Sequence, residues 1–225
     1  MNRATRYALK SFEGTAPFTN LNIHESFLDL ESLDALLTWP KNLQKLRLGY
    51  DMPMTEEWTF SHVQPMLETQ MASLRELTIT PAQDFGDIWN LDLTGFVKLE
   101  VLGLPSFVTG CDTVYIPSIL APNLRVFNWD FAYRSDSYVA VEDYDQAQEE
   151  WVDAMVDLAI TRQKNLREIY INFEPCGYRS LRKVEGFVYP WDRLDESARV
   201  ASKFGIRIRY NETNVSREAF EKWEM

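Results

Sequence analysis

Six segments of this chain share one spacing of apolar residues: apolar, two variable, apolar, one variable, apolar. They are Phe18-x-x-Leu21-x-Ile23, Leu43-x-x-Leu46-x-Leu48, Leu74-x-x-Leu77-x-Ile79, Leu99-x-x-Leu102-x-Leu104, Leu124-x-x-Phe127-x-Trp129 and Leu166-x-x-Ile169-x-Ile171. A weaker late copy ends in Ile206-x-Ile208. Alternate side chains of a strand face the same side, so the last two apolar residues of each copy point one way. The first lies just before the strand and turns in with them. One strand cannot bury such residues alone, whereas stacked neighbours bury them in a continuous core.

Recurrence at this spacing is the strand signature of a leucine-rich-repeat solenoid. The expected fold is therefore α/β, a curved parallel sheet of about seven strands with helices on the convex side. Strands stack at about 4.8 Å and helices are about 10 Å wide, so the sheet takes the inner, concave face. Residues 1–225 read as a single leucine-rich-repeat domain, with repeats over about 15–210 and a C-terminal tail at 211–225.

From one copy to the next the steps are 25, 31, 25, 25 and 42 residues, against a usual repeat of about 20–29. Helical patterns fill the long steps. Residues 54–71 carry Trp58, Val63, Met66, Leu67 and Met71, with Thr55 as the expected N-cap. Residues 144–163 carry Trp151, Ala154, Met155, Leu158 and Ala159 at helical spacing. Glu31 to Leu37 reads as a short helix stopped by Trp39-Pro40. Residues 115–120 read as a turn or single helical turn. A last helix over about 190–204 precedes a closing strand at Gly205–Tyr210, with Gly205 as its stop.

The apolar share of 45% excludes a disordered chain. The net charge of −11 argues against unspecific binding to nucleic acid or to an anionic membrane. The two cysteines, Cys111 and Cys176, exclude a disulfide scaffold and a four-cysteine zinc site. The first residues lack the apolar core of a signal peptide, and no run approaches membrane-spanning length. Cytoplasm or nucleus is the expected compartment. The glycosylation triplets at Asn211 and Asn214 then read as chance matches.

The irregular repeat lengths, the Lys-Asn-Leu, Pro-Asn-Leu and Ala-Ser-Leu starts around Asn42, Asn123 and Ser73, and the Trp-rich connections together resemble the repeat region of fungal F-box/leucine-rich-repeat proteins. The resemblance covers roughly residues 15–210. It implies a substrate-recognition half related to ubiquitin-ligase receptors. Only about fifteen residues precede the first copy, too few for the F-box module, so the expectation is a recognition half without its ligase adaptor, either a free-standing recognition protein or the product of a shortened gene. The ninth motif positions hold Ser26, Asp51, Ala82, Phe107, Ala132 and Glu174, so the asparagine ladder of extracellular repeats is missing there.

Catalytic signatures are absent: there is no His-Glu-x-x-His, nucleophile elbow, P-loop or dinucleotide glycine motif. His24 and His62 could pair with Cys111 or Cys176 only on paper. Asp84-Phe85-Gly86 lacks every other kinase element and reads as a turn. The acidic run through Glu142, Asp143, Asp145, Glu149 and Glu150 lacks the ligand order of a calcium loop and reads as a solvated helix start.

The concave face therefore carries the functional expectation. Its partner-binding residues are read as Asn22, His24, Arg47, Tyr50, Asn128, Asp130, Tyr170, Asn172, Arg207 and Arg209, with Phe131 and Phe173 as further aromatic anchors. The expected partner is another protein, with no cofactor, no metal, no nucleic acid and no membrane. Two alternatives stand beside this reading. One is an enzyme or small-molecule binder with a pocket between helix and sheet in the long 124-to-166 step. The other is a structural subunit that docks through its helices or its terminal strand.

Overall fold

The computed structural model describes residues 12–23, 29–50, 59–81, 88–131, 139–162, 164–179, 186–212 and 215–223. They form an α/β structure around a single sheet of seven strands: β1 (Asn20–Ile23), β2 (Lys45–Tyr50), β3 (Glu76–Pro81), β4 (Val101–Pro105), β5 (Val126–Asp130), β6 (Glu168–Asn172) and β7 (Arg207–Tyr210). The strands lie side by side in chain order and every neighbouring pair is parallel. The register repeats as regularly as the sequence motif. Leu21, Leu46, Leu77, Leu102, Phe127, Ile169 and Ile208 stand in one cross-strand row. Their side chains join the buried core, Leu21 at its margin.

The backbone shows why the spacing holds this register. In the first five copies the residue after the first apolar position offers one carbonyl to two N–H groups of the next copy. Thr19 O accepts from Gln44 N and Lys45 N at 2.7 and 3.0 Å. Gln44, Arg75, Glu100 and Arg125 do the same for their successors. The entries to β2 through β6 are thus pinned before their strands begin.

Helices cover the face to which the motif residues point. Helix α1 (Leu30–Thr38) starts at Asp29, whose carboxylate accepts from Ser32 N at 2.7 Å, and stops at Trp39-Pro40. Helix α2 (Phe60–Glu68) begins after Thr59, not Thr55, and buries Phe60, Val63 and Leu67. Thr55 and Trp58 lie outside the described residues. Met71 sits past the helix end and is 38% exposed, not core as its spacing suggested. Two short helices, α3 (Ser106–Thr109) and α4 (Ile116–Ile119), occupy the step between β4 and β5.

Helix α5 (Gln146–Thr161) fills the longest step. Asp145 accepts from Ala147 N, and Gln148 reaches back to Asp145 N, a reciprocal cap that fixes its start. Its buried stripe is Trp151, Val152, Met155, Val156 and Ala159, while Ala154 and Leu158 sit half-buried at its margin. Helix α6 (Pro190–Ser202) ends before Gly205, whose φ of 75° lets the chain reverse into β7.

The widest part of the core is aromatic. Trp129 stacks on Trp151 with ring centres 4.6 Å apart, and its indole N–H donates to Thr109 Oγ1 at 3.0 Å. Phe131, Tyr144, Phe173 and Trp191 continue the contact chain away from it. Phe131 and Phe173 are each only 1% exposed, which corrects their expected place on the open surface. Inward–outward alternation carries on one residue past each strand, so Phe131 follows Phe127 and Trp129, and Phe173 follows Ile169 and Ile171, into the core. Beyond β7 the chain is not a loose tail: Val215, Phe220 and Trp223 of the last turn and helix α7 (Arg217–Glu221) are buried, and Trp223 stacks on Tyr178 at 4.1 Å.

Candidate functional site

The face of the sheet opposite the helices carries the residues between the motif positions. Its middle row follows the register across all seven strands: Asn22, Arg47, Thr78, Gly103, Asn128, Tyr170 and Arg209. A second row, nearer the strand starts, is Asn20, Lys45, Glu76, Val101, Val126, Glu168 and Arg207. Asn22, Arg47, Arg207 and Arg209 are exposed; Asn128, Asp130, Tyr170 and Asn172 are half-buried among their neighbours. Eight of the ten expected partner-binding residues thus share one surface. His24 lies outside the described residues, as does the side chain of Tyr50, whose backbone ends β2. Ser106, just past β4, is buried where α3 starts.

The surface is lowest at its centre. Gly103 has no side chain, and a Cβ placed there would meet Thr78 Cγ2 at 3.0 Å. Higher side chains flank it. On one side Lys45 pairs with Glu76 at 2.6 Å. On the other, Asn172 Nδ2 donates to Asp130 Oδ1 at 2.8 Å, and Glu168 lies 3.4 Å from Arg209 and 3.8 Å from Arg207. The Tyr170 hydroxyl donates to Asn211 Oδ1 at 3.4 Å, and the same oxygen accepts from Phe173 N at 3.2 Å. Asn211, the residue after β7, thus fastens itself to the end of β6; its glycosylation triplet said nothing of this role.

A third row lies at the strand entrances, where Arg75, Glu100, Arg125 and Arg167 follow one another in register. Arg75 pairs with Glu100 at 3.1 Å. Arg125 and Arg167 are exposed, and among the described residues neither guanidinium has an ion pair or hydrogen bond. Just outside this row runs a short asparagine ladder: Asn165 Nδ2 donates to Asn123 Oδ1 at 2.8 Å, and Asn123 Nδ2 to Val97 O at 2.7 Å. Both asparagines directly precede the first leucine of their motif. That Asn-Leu dipeptide was visible in the sequence, while the ladder was looked for at the ninth position.

A cavity of about 320 Å³ lies in the long step, lined by Ser106, Cys111, Glu142, Asp143, Ala147 and Gln148 among others. Among the described residues lining it, Cys111 is the one with a sulfur, and Gln148 Nε2 lies 3.2 Å from it. Burial pushes its thiol up to about 11, with Gln148 opposing and Asp145 adding to the rise, so it stays protonated near neutral pH. No described residue lining the cavity is histidine. His62 instead sits at the exposed start of α2, its Nδ1 2.9 Å from Thr59 Oγ1. The acidic run nearby is engaged by protein groups. Glu142 and Asp143 hold Arg179, Glu149 holds Arg193, and Asp145 caps α5.

Among the described residues, no helix is long and apolar enough to cross a membrane. No family model, curated protein or solved structure matches this chain.

Proposed function

We propose that the chain is a leucine-rich-repeat solenoid whose sheet forms the concave wall, and that this wall binds another protein in the cytoplasm or nucleus. One observation carries the reading. A seven-stranded sheet has one face sealed by helices, while the other presents three aligned rows of polar, charged and aromatic side chains. A row-patterned face with a low centre at Gly103 and arginines at both ends offers the anchor types that dominate protein interfaces. The resemblance to fungal F-box/leucine-rich-repeat proteins adds a context, substrate recognition for a ubiquitin ligase, and co-purification of ligase scaffold subunits tests that part.

The face itself is tested with an Arg47→Ala/Tyr170→Ala double variant and a Trp89→Ala control; Trp89 is 56% exposed on a short helical turn outside the sheet. Partners captured from source cells are quantified by mass spectrometry. The double variant is expected to reduce capture about fivefold or more, since interface anchors are worth over about 1 kcal/mol each. Unchanged capture by a folded double variant, with loss in the control, would move the interface to the helical side.

A further inference from the structure

Elsewhere on this face the sheet sets opposite charges against one another: Lys45 meets Glu76, and Arg75 meets Glu100. At the entrances of β5 and β6 it abandons that rule. Arg125 and Arg167 are direct neighbours, since Arg167 N and Glu168 N both donate to Arg125 O. Arg207 N in turn donates to Arg167 O, Arg207 stands opposite Glu168 in the β6–β7 register, and Arg209 lies two residues along the same strand. All four are exposed, and among the described residues Glu168 is the one carboxylate within ion-pairing distance of any of them, serving Arg207 and Arg209. Like charges side by side across strands are destabilising. They collect here in a chain whose net charge is −11.

We infer that this patch is the receptor for an acidic segment of a protein partner, one presenting at least two carboxylates to Arg125 and Arg167. The inference rests on the reading of the open face as a protein-docking wall and names the partner's chemistry. A guanidinium presents a planar fork that matches a carboxylate with two parallel hydrogen bonds. Adjacent strands are about 4.8 Å apart, and acidic residues one helical turn apart are separated by about 5–6 Å. Two carboxylates of a helix or turn therefore reach both arginines together. A nucleic acid is the poorer fit: its charge extends well past three strands onto a strongly acidic protein, and Glu100 and Glu168 border the patch.

The test is fluorescence anisotropy on the full chain with three labelled probes: an alternating Glu-Ser peptide, a Lys-Ser peptide of the same length and a short oligothymidylate. The Glu-Ser peptide is expected to bind and to weaken as salt rises from about 50 to about 300 mM. Arg125→Glu/Arg167→Glu should weaken it about tenfold or more, and Arg125→Gln/Arg167→Gln by a smaller factor in the same direction. An equal charge change at Lys203→Glu/Lys222→Glu, on exposed helix ends, should leave binding nearly unchanged. Absence of Glu-Ser binding, equal binding by the arginine variants, or tighter binding of the oligonucleotide at the same arginines would each overturn the inference. If that happens while cellular partners still depend on Arg47 and Tyr170, the acidic class fails and the docking wall survives. If those partners are indifferent to Arg47 and Tyr170, the wall itself is lost.

Discussion

Replacing Gln70 with methionine should unfold this protein at a clearly lower temperature, although it swaps one buried side chain for another of similar length. Gln70 is 5% exposed and sits between α2 and β3. Its Oε1 accepts from Leu43 N at 3.0 Å and from Ser73 Oγ at 3.1 Å, and its Nε2 donates to Leu37 O at 2.8 Å and Pro40 O at 3.1 Å. Three of these partners are backbone groups of the preceding α1–β2 unit, so one side chain fastens two successive units. Methionine leaves an N–H and two carbonyls without it, and each buried unpaired group costs about 1–3 kcal/mol. Taking the low end for each gives about 3 kcal/mol, which for a chain of this size lowers the midpoint by about 6–12 °C. Thermal unfolding followed by circular dichroism reads the shift. A loss under about 2 °C would show that solvent or neighbouring groups satisfy those partners and that the stitch carries little of the stability.

Further outcomes follow from other sites. Thr109→Val removes the acceptor of the buried Trp129 indole and should cost about 1–2 kcal/mol in urea unfolding, where no change would mean the indole finds another partner. Burial, with Glu149, Asp157 and Glu196 nearby, raises Asp153 above the usual carboxylate range against the Ser197 hydrogen bond, so its proton is held more tightly folded than unfolded. Stability from this group is therefore present at acid pH and lost as pH rises past that range. Asp153→Asn should stabilise the fold more at about pH 7.5 than at about pH 4.5, and an equal effect at both would contradict the burial argument. In alkylation followed by mass spectrometry near neutral pH, exposed Cys176 should react well before Cys111, whose thiol is pushed up to about 11. Faster reaction at Cys111 would refute its protonated, half-buried setting.

The strands were legible because their motif residues do one physical job seven times: Leu46, Leu77, Leu102 and their equivalents meet in a single buried row. The helices were less so. Val63 and Leu67 marked α2, but Met71 fell past its end, where apolar spacing no longer describes a face. On the open face, alternation placed Arg47, Tyr170 and Arg209 correctly because they lie within strands. Phe131 and Phe173 obey the same alternation: each stands two residues after a buried Trp129 or Ile171 and faces the core, so an open-face place for them runs against period two. Gln70, Asn211 and the Asn123–Asn165 ladder are side chains that bond groups distant in sequence, and no local pattern announces such bonds.

The most direct test of the docking wall is side-chain oxidative footprinting of the protein, free and with its captured partner. Binding at the open face should reduce modification of Tyr170 and leave Trp89, on the helical side, unchanged. Protection of Trp89 with Tyr170 as reactive as in the free chain would contradict it.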